Sequence, residues 1–107
     1  MKSPETLEAV KKFHKLFSHP ILEIPMIPAE KRSNLRISLM TEELREFRDA
    51  VLSDNLVAAA DALCDLQYVL IGTVLEFGLG DIFKELFDKV QRSNMSKACR
   101  TMKDVLD

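Results

Sequence analysis

Apolar positions recur in three- and four-residue steps along most of the 107-residue chain, the spacing of helices with one face turned inward. Leu7, Val10, Phe13, His14 and Phe17 form the first such run. Ser3, Pro4 and Glu5 precede it as cap, first-turn proline and dipole-complementing acid, which predicts a helix over about residues 3–18. From His19 to about Ala29 the prolines Pro20, Pro25 and Pro28 forbid regular helix, while Ile21, Leu22, Ile24, Met26 and Ile27 offer apolar contacts. An ordered, packed loop is expected there. Leu35, Leu39, Met40, Leu44, Phe47 and Val51 predict a second helix from Glu30 to Val51 or Leu52, with its charges on the other side. Ser53-Asp54-Asn55 supplies a turn and a cap, and the longest apolar run, Leu56 to Phe77, is the third helix. Gly78 and Gly80 end it. Asp81 can then cap a fourth helix with an inner stripe of Ile82, Phe83, Leu86, Phe87 and Val90, followed after Asn94 by a short tail that can itself be helical. The fold class is all-α: a single domain over residues 1–107 with four to five helices and no internal repeat.

Asp61, Asp65 and Glu76 interrupt the third helix, and each would be costly in hydrocarbon, so burial within protein is expected rather than a membrane span. Fifteen Lys and Arg against seventeen Asp and Glu leave a formal net charge of -2, with no global basic field for nucleic acid or an anionic membrane. Cys64 and Cys99 show no CxxC spacing and no secretory leader is evident, which points to the reducing cytoplasm. A chain this short, with a helix apolar on nearly every side, is expected to complete its core through a partner subunit as a homodimer or homotetramer.

The candidate chemistry lies in carboxylates. Glu43 and Glu46, three apart on the second helix, share a face, with Glu42 one step round. Alone they read as a solvated acidic surface. Asp61 and Asp65 change that reading, because they lie four apart on a helix that is otherwise nearly all apolar. Repelling like charges on such a face need compensation, either from a cation or from an arginine such as Arg36, Arg45 or Arg48. An all-oxygen donor set suits Mg²⁺ or Mn²⁺, whose usual companions are phosphates. The histidines His14 and His19 lie outside any ExxH pattern, which disfavours zinc and a di-iron bundle, and His14 reads as a hydrogen-bonded packing residue.

The segments FHKLFSHP, IPMIPAEKRSNLR, LMTEELREF, ADALCDLQYVLIGTVLEFGL and VQRSNMSKA, in this order, resemble the all-α nucleoside triphosphate pyrophosphohydrolases, in particular the MazG-like group with a phosphoribosyl-ATP-pyrophosphohydrolase-like pattern. The resemblance implies a MazG-like helical bundle that releases nucleoside monophosphate and pyrophosphate, with dUTP or modified nucleotides among the substrates by analogy. It implies metal ligation by an ExxE pair matched by Glu43 and Glu46, and by an ExxD pair whose Asp is Asp65. The Glu of that second pair falls on Ala62, a departure from the pattern, and Asp61 stands one helical turn from Asp65 as its substitute. Glu42 or Glu46 would orient or deprotonate the attacking water. Asn94 and Lys97, with Arg92 beside them, match the segment that contacts substrate phosphates. The competing reading is a non-catalytic helical module that binds nucleotides or a partner protein.

Overall fold

The computed structural model describes residues 5–106, with side chains to residue 98. Four helices follow in order: α1 (Glu5–Leu16), α2 (Glu30–Leu52), α3 (Leu56–Glu76) and α4 (Phe83–Leu106), with no strand among the described residues. The Ser3–Pro4 cap lies outside that range. The central unit is the antiparallel pair of α2 and α3, and α1 packs on α3. A connection of three residues leaves α3 no choice but to fold back along α2. Its geometry is local: Ser53 N donates to Asp49 O at 3.0 Å, Asp54 takes a left-handed φ of 52°, and the Asn55 side chain accepts from Ala58 N at 3.0 Å to cap α3. Val10, Ile71 and Leu75 form a small buried core, backed by Leu7 and Ile21.

The proline-rich segment is the ordered loop its composition predicts, and the end of α3 is what orders it. A helix leaves its last carbonyls without intrahelical donors. Here Leu22 N donates to Leu75 O and Met26 N to Phe77 O, both at 3.0 Å. Gly78 then turns the chain at φ +71°, where a Cβ would overlap the Ile24 carbonyl.

α2 and α3 are pinned by a buried polar cluster. Glu76 is only 1% exposed. Its Oε1 lies 2.8 Å from Arg32 Nη2, and its Oε2 lies 2.9 Å from Arg36 Nη1 as an ion pair without hydrogen-bond alignment. Arg36 also donates from Nε to Thr73 Oγ1 at 3.0 Å and from Nη2 to the Val69 carbonyl at 2.7 Å. Room for this guanidinium exists because residue 72 is glycine: a Cβ there would sit 2.5 Å from Arg36 Nη2 and 2.8 Å from His14 Nε2. His14 is buried beside it, with Nδ1 3.1 Å from the Pro20 carbonyl, and burial holds its pKa below the ordinary histidine value. It is the packing histidine the sequence suggests. Arg36 partners Glu76 rather than either aspartate of α3.

The short tail expected after Asn94 is helical and continuous with the fourth helix, which runs on to Leu106, since Ser93 and the residues after it include no Gly or Pro to stop it. The inner stripe expected on this helix is corrected, because Phe87 is 60% and Val90 55% exposed and, among the described residues, α4 packs extensively on no other helix. The amphipathic period is present, but no second element covers it within the chain. Nor is α3 fully buried. By length and composition it is long and apolar enough to cross a membrane, yet its Glu76 is ion-paired to α2.

Removing one partner from a buried ion pair leaves the other charge uncompensated. Glu76→Gln keeps the side chain's shape and strands Arg36, whose side chain is 6% exposed. The variant is expected to lose about 3–5 kcal/mol of stability, seen as a lowered midpoint in urea unfolding.

Candidate functional site

Three carboxylates converge where the middle of α2 faces α3. Glu43 and Glu46, one turn apart on α2, each offer an oxygen to a group completed by Asp65 of α3, and the ligand atoms all lie within 4.8 Å of one another. Asp65 and Glu46 are exposed, whereas Glu43 is half-buried between the helices, and its Oε2 is shut off from water with no hydrogen-bond partner. That oxygen is an unsatisfied acceptor beside two further acids.

The electrostatics follow from this packing. Burial, a hydrogen bond with Glu46, and repulsion from Glu46, Asp65 and Glu42 push the Glu43 carboxyl up to about 7. A cation held beside such a carboxyl would favour its ionised form. Three hard oxygen donors gathered this closely are a donor set of the kind that holds a hard divalent cation, whose other positions would be filled by water or phosphate oxygen. Glu43, Glu46 and Asp65 are the residues that would hold such an ion. Zinc, with its preference for nitrogen and sulfur, has no donor of that kind in the cluster.

The other sequence candidates are placed differently. Asp61 is exposed and outside the gathered carboxylates. The residue that faces α2 at that level is Ala62, 3% exposed, and Asp61 is a 100° step round the helix from it. The buried face inferred for Asp61 and Asp65 is therefore not found, for both are exposed; the buried acid of the cluster is Glu43. Glu42 adds to the repulsion on Glu43 but lines a shallow hollow with Thr41 and Arg45 on the outer side of α2. Arg92, Asn94 and Lys97 stand on exposed turns of α4, a helix with no extensive packing on α2. Arg92 acts on Asp88 of its own helix, whose carboxyl Lys84 chiefly holds below the ordinary range from 2.7 Å away. Sequence reasoning missed Glu76 and its arginines as the anchor of the site; an isolated acid near the end of an apolar helix, with Arg32 and Arg36 spaced four apart, was the available signal.

The raised Glu43 pKa has a definite sign. The folded state binds this proton more tightly than the unfolded chain, so the associated stability is present below the ordinary value of 4.5 and is lost as pH climbs through about 7. In chelator-treated protein Glu43→Gln should therefore raise the melting temperature at pH 8 by roughly 4–8 °C, which corresponds to about 1 kcal/mol. At pH 4.5 it should change it little, and paired thermal melts at the two pH values check this.

Comparison with known proteins agrees with the geometry. The chain is similar to "Uncharacterized protein L479" of Acanthamoeba polyphaga mimivirus, with 29% identity over 97 residues that cover 87% of this chain and 39% of that protein. The chain thus spans about two-fifths of the length of that curated relative. A family model described as phosphoribosyl-ATP pyrophosphohydrolase matches residues 10–94, a span that takes in Glu43, Glu46 and Asp65. With its helices in this order and its acids on α2 and α3, the chain belongs to the phosphoribosyl-ATP pyrophosphohydrolase family, a group of MazG-like all-α nucleotide pyrophosphohydrolases.

Proposed function

We propose that this protein is a Mg²⁺-dependent nucleoside triphosphate pyrophosphohydrolase, with Mn²⁺ as a substitute cofactor, that releases nucleoside monophosphate and pyrophosphate. The observation that carries the reading is the convergence of Glu43, Glu46 and Asp65 within 4.8 Å, with one Glu43 oxygen buried and unsatisfied. Surface acids that only confer solubility spread apart, since repulsion is relieved at no cost in water. These are held together by the packing of α2 on α3.

Glu43, Glu46 and Asp65 are the residues that would hold the ion. When bound there, a divalent cation would supply charge neutralisation on the triphosphate and a more acidic water. Glu46, which is exposed, or Glu42 beside it would orient or deprotonate the attacking water. Glu43 sits deeper, and its raised pKa gives it a proton to release when a cation arrives. Substrates proposed by analogy are dUTP and modified nucleotides. A cytoplasmic setting is proposed from Cys64, an exposed free thiol. Neither nucleic acid nor a membrane is proposed as a partner, since the formal net charge of -2 offers no basic field.

One observation favours a second reading, a nucleotide-binding module without catalysis. Ala62 occupies the buried α3 position facing α2, where a fourth carboxylate would stand, so three acids remain to do the work.

Purified protein with Mg²⁺ or Mn²⁺ is expected to release pyrophosphate from at least one member of a panel of ribo-, deoxy- and modified nucleoside triphosphates. Asp65→Asn or Glu46→Gln should reduce kcat/KM by roughly a hundredfold or more with helicity unchanged. No pyrophosphate from any nucleotide, together with calorimetric nucleotide binding, would establish the module instead. A metal titration should give one site per chain in the wild type, lost in Glu43→Gln.

A further inference from the structure

We propose that His14 is an acid-sensitive latch: as a neutral imidazole it holds α1 and the entry of the proline loop onto the α2–α3 pair, and as an imidazolium it lets them go. The device lies in the packing around Arg36 and does not depend on the catalytic reading.

The latch is built where α1 ends. His19 N donates to His14 O at 2.7 Å across Ser18, whose left-handed φ of 56° turns the chain back on its helix. That turn lays the Pro20 carbonyl 3.1 Å from His14 Nδ1. A carbonyl only accepts, so Nδ1 carries the hydrogen and the neutral ring keeps its lone pair on Nε2. The second nitrogen enters the space that Gly72 leaves open, and the Arg36 guanidinium enters the same space. The point where a Cβ of residue 72 would stand is 2.8 Å from His14 Nε2 and 2.5 Å from Arg36 Nη2. Both side chains are shut off from water, His14 at 2% and Arg36 at 5% exposure.

Proton uptake turns this close fit into a conflict. A second N–H, on Nε2, brings a cation into the hole that a guanidinium already occupies. The charged and titratable groups that face the ring are Arg36 from α2, Glu76 from α3 and His19 from the loop. Arg36 and His19 oppose the new charge, and Glu76, which favours it, is already engaged by Arg32 and Arg36. Burial outweighs each of these and also disfavours the imidazolium. The folded chain therefore binds this proton less tightly than a chain in which α1 has come away. The hold of His14 is whole above the ordinary histidine value of 6.5 and weakens as pH falls below it.

The surrounding contacts decide what opens. α1 packs on α3 through Val10 against Ile71 and Leu75, and through Phe13, whose ring meets Tyr68 edge-on at 5.5 Å. The α2–α3 pair is joined along its length and tied separately by Glu76 to Arg32 and Arg36. Release is thus confined to α1 and the start of the loop. It uncovers Tyr68, the one tyrosine of a chain without tryptophan, so that intrinsic fluorescence reports on this contact alone.

In an NMR titration of the full chain the His14 ring should protonate below pH 6.5. From pH 7.5 to 5.5 the opening equilibrium of residues 7–16, read by hydrogen exchange corrected for intrinsic rates, should rise about three- to tenfold. Residues 36–50 of α2 should change less, and Tyr68 fluorescence should become more accessible to acrylamide over the same range. His14→Gln keeps a donor for the Pro20 carbonyl and carries no charge at any pH, so it should abolish both responses. The difference between wild type and this variant separates His14 from Glu43, whose proton uptake stabilises the fold as pH falls. A His14 ring that protonates at or above pH 6.5 overturns the proposal, and this titration needs no variant to fold. So does a His14→Gln protein that keeps the wild-type acid response, or an opening spread equally over α1 and α2.

Discussion

The burial of Glu76 is the constraint from which the rest of the structure follows. A carboxylate removed from water must find cations, and both, Arg32 and Arg36, lie on α2. The pairing therefore fixes the register of α2 against α3. From Glu76 back to Asp65 is eleven residues along α3, and from Arg32 to Glu43 or Arg36 to Glu46 is eleven or ten along α2 in the opposite sense. Each interval is about three helical turns. The faces that meet at the ion pair meet again three turns away, and there both bear carboxylates.

The two clusters are opposite solutions to one problem. At Glu76 the protein buries an acid and supplies its cations from its own chain. At Glu43 it half-buries an acid among other acids and supplies none, leaving an oxygen unsatisfied and a carboxyl that titrates near 7. Strain of the second kind works against folding and persists where function requires it. The anchoring pairing holds the backbones of α2 and α3 that carry these acids side by side.

The apolar surface follows a similar logic of incompletion. Only a few residues, with Val10, Ile71 and Leu75 at their centre, form a buried cluster, while Phe87, Val90 and Leu70 on neighbouring elements face outward around an open groove. Few contacts hold α4 to the chain, whereas α2 and α3 are joined along their length. The ion pair fixes the half of the molecule that bears the acids and leaves the other half unfinished.

The helices were legible in the sequence because their determinants are local. The three-and-four spacing from Leu35 to Val51, the Asn55 cap and the glycines after Glu76 act within a turn or two of where they stand, and they marked α2 and α3 almost to the residue. Glu43, Glu46 and Asp65 were nameable for the same reason, since helical spacing puts side chains on one face. What the sequence could not contain was the rotation of α3 about its own axis. Periodicity left Asp61 and Asp65 equivalent; the pairing of Glu76 with Arg32 and Arg36 turned Ala62 toward α2, brought Asp65 to the acids and left Asp61 in solvent. The stripe on α4 was readable as amphipathic, but an apolar period says only that a face needs cover, and whether the chain itself supplies that cover is decided by long-range packing alone.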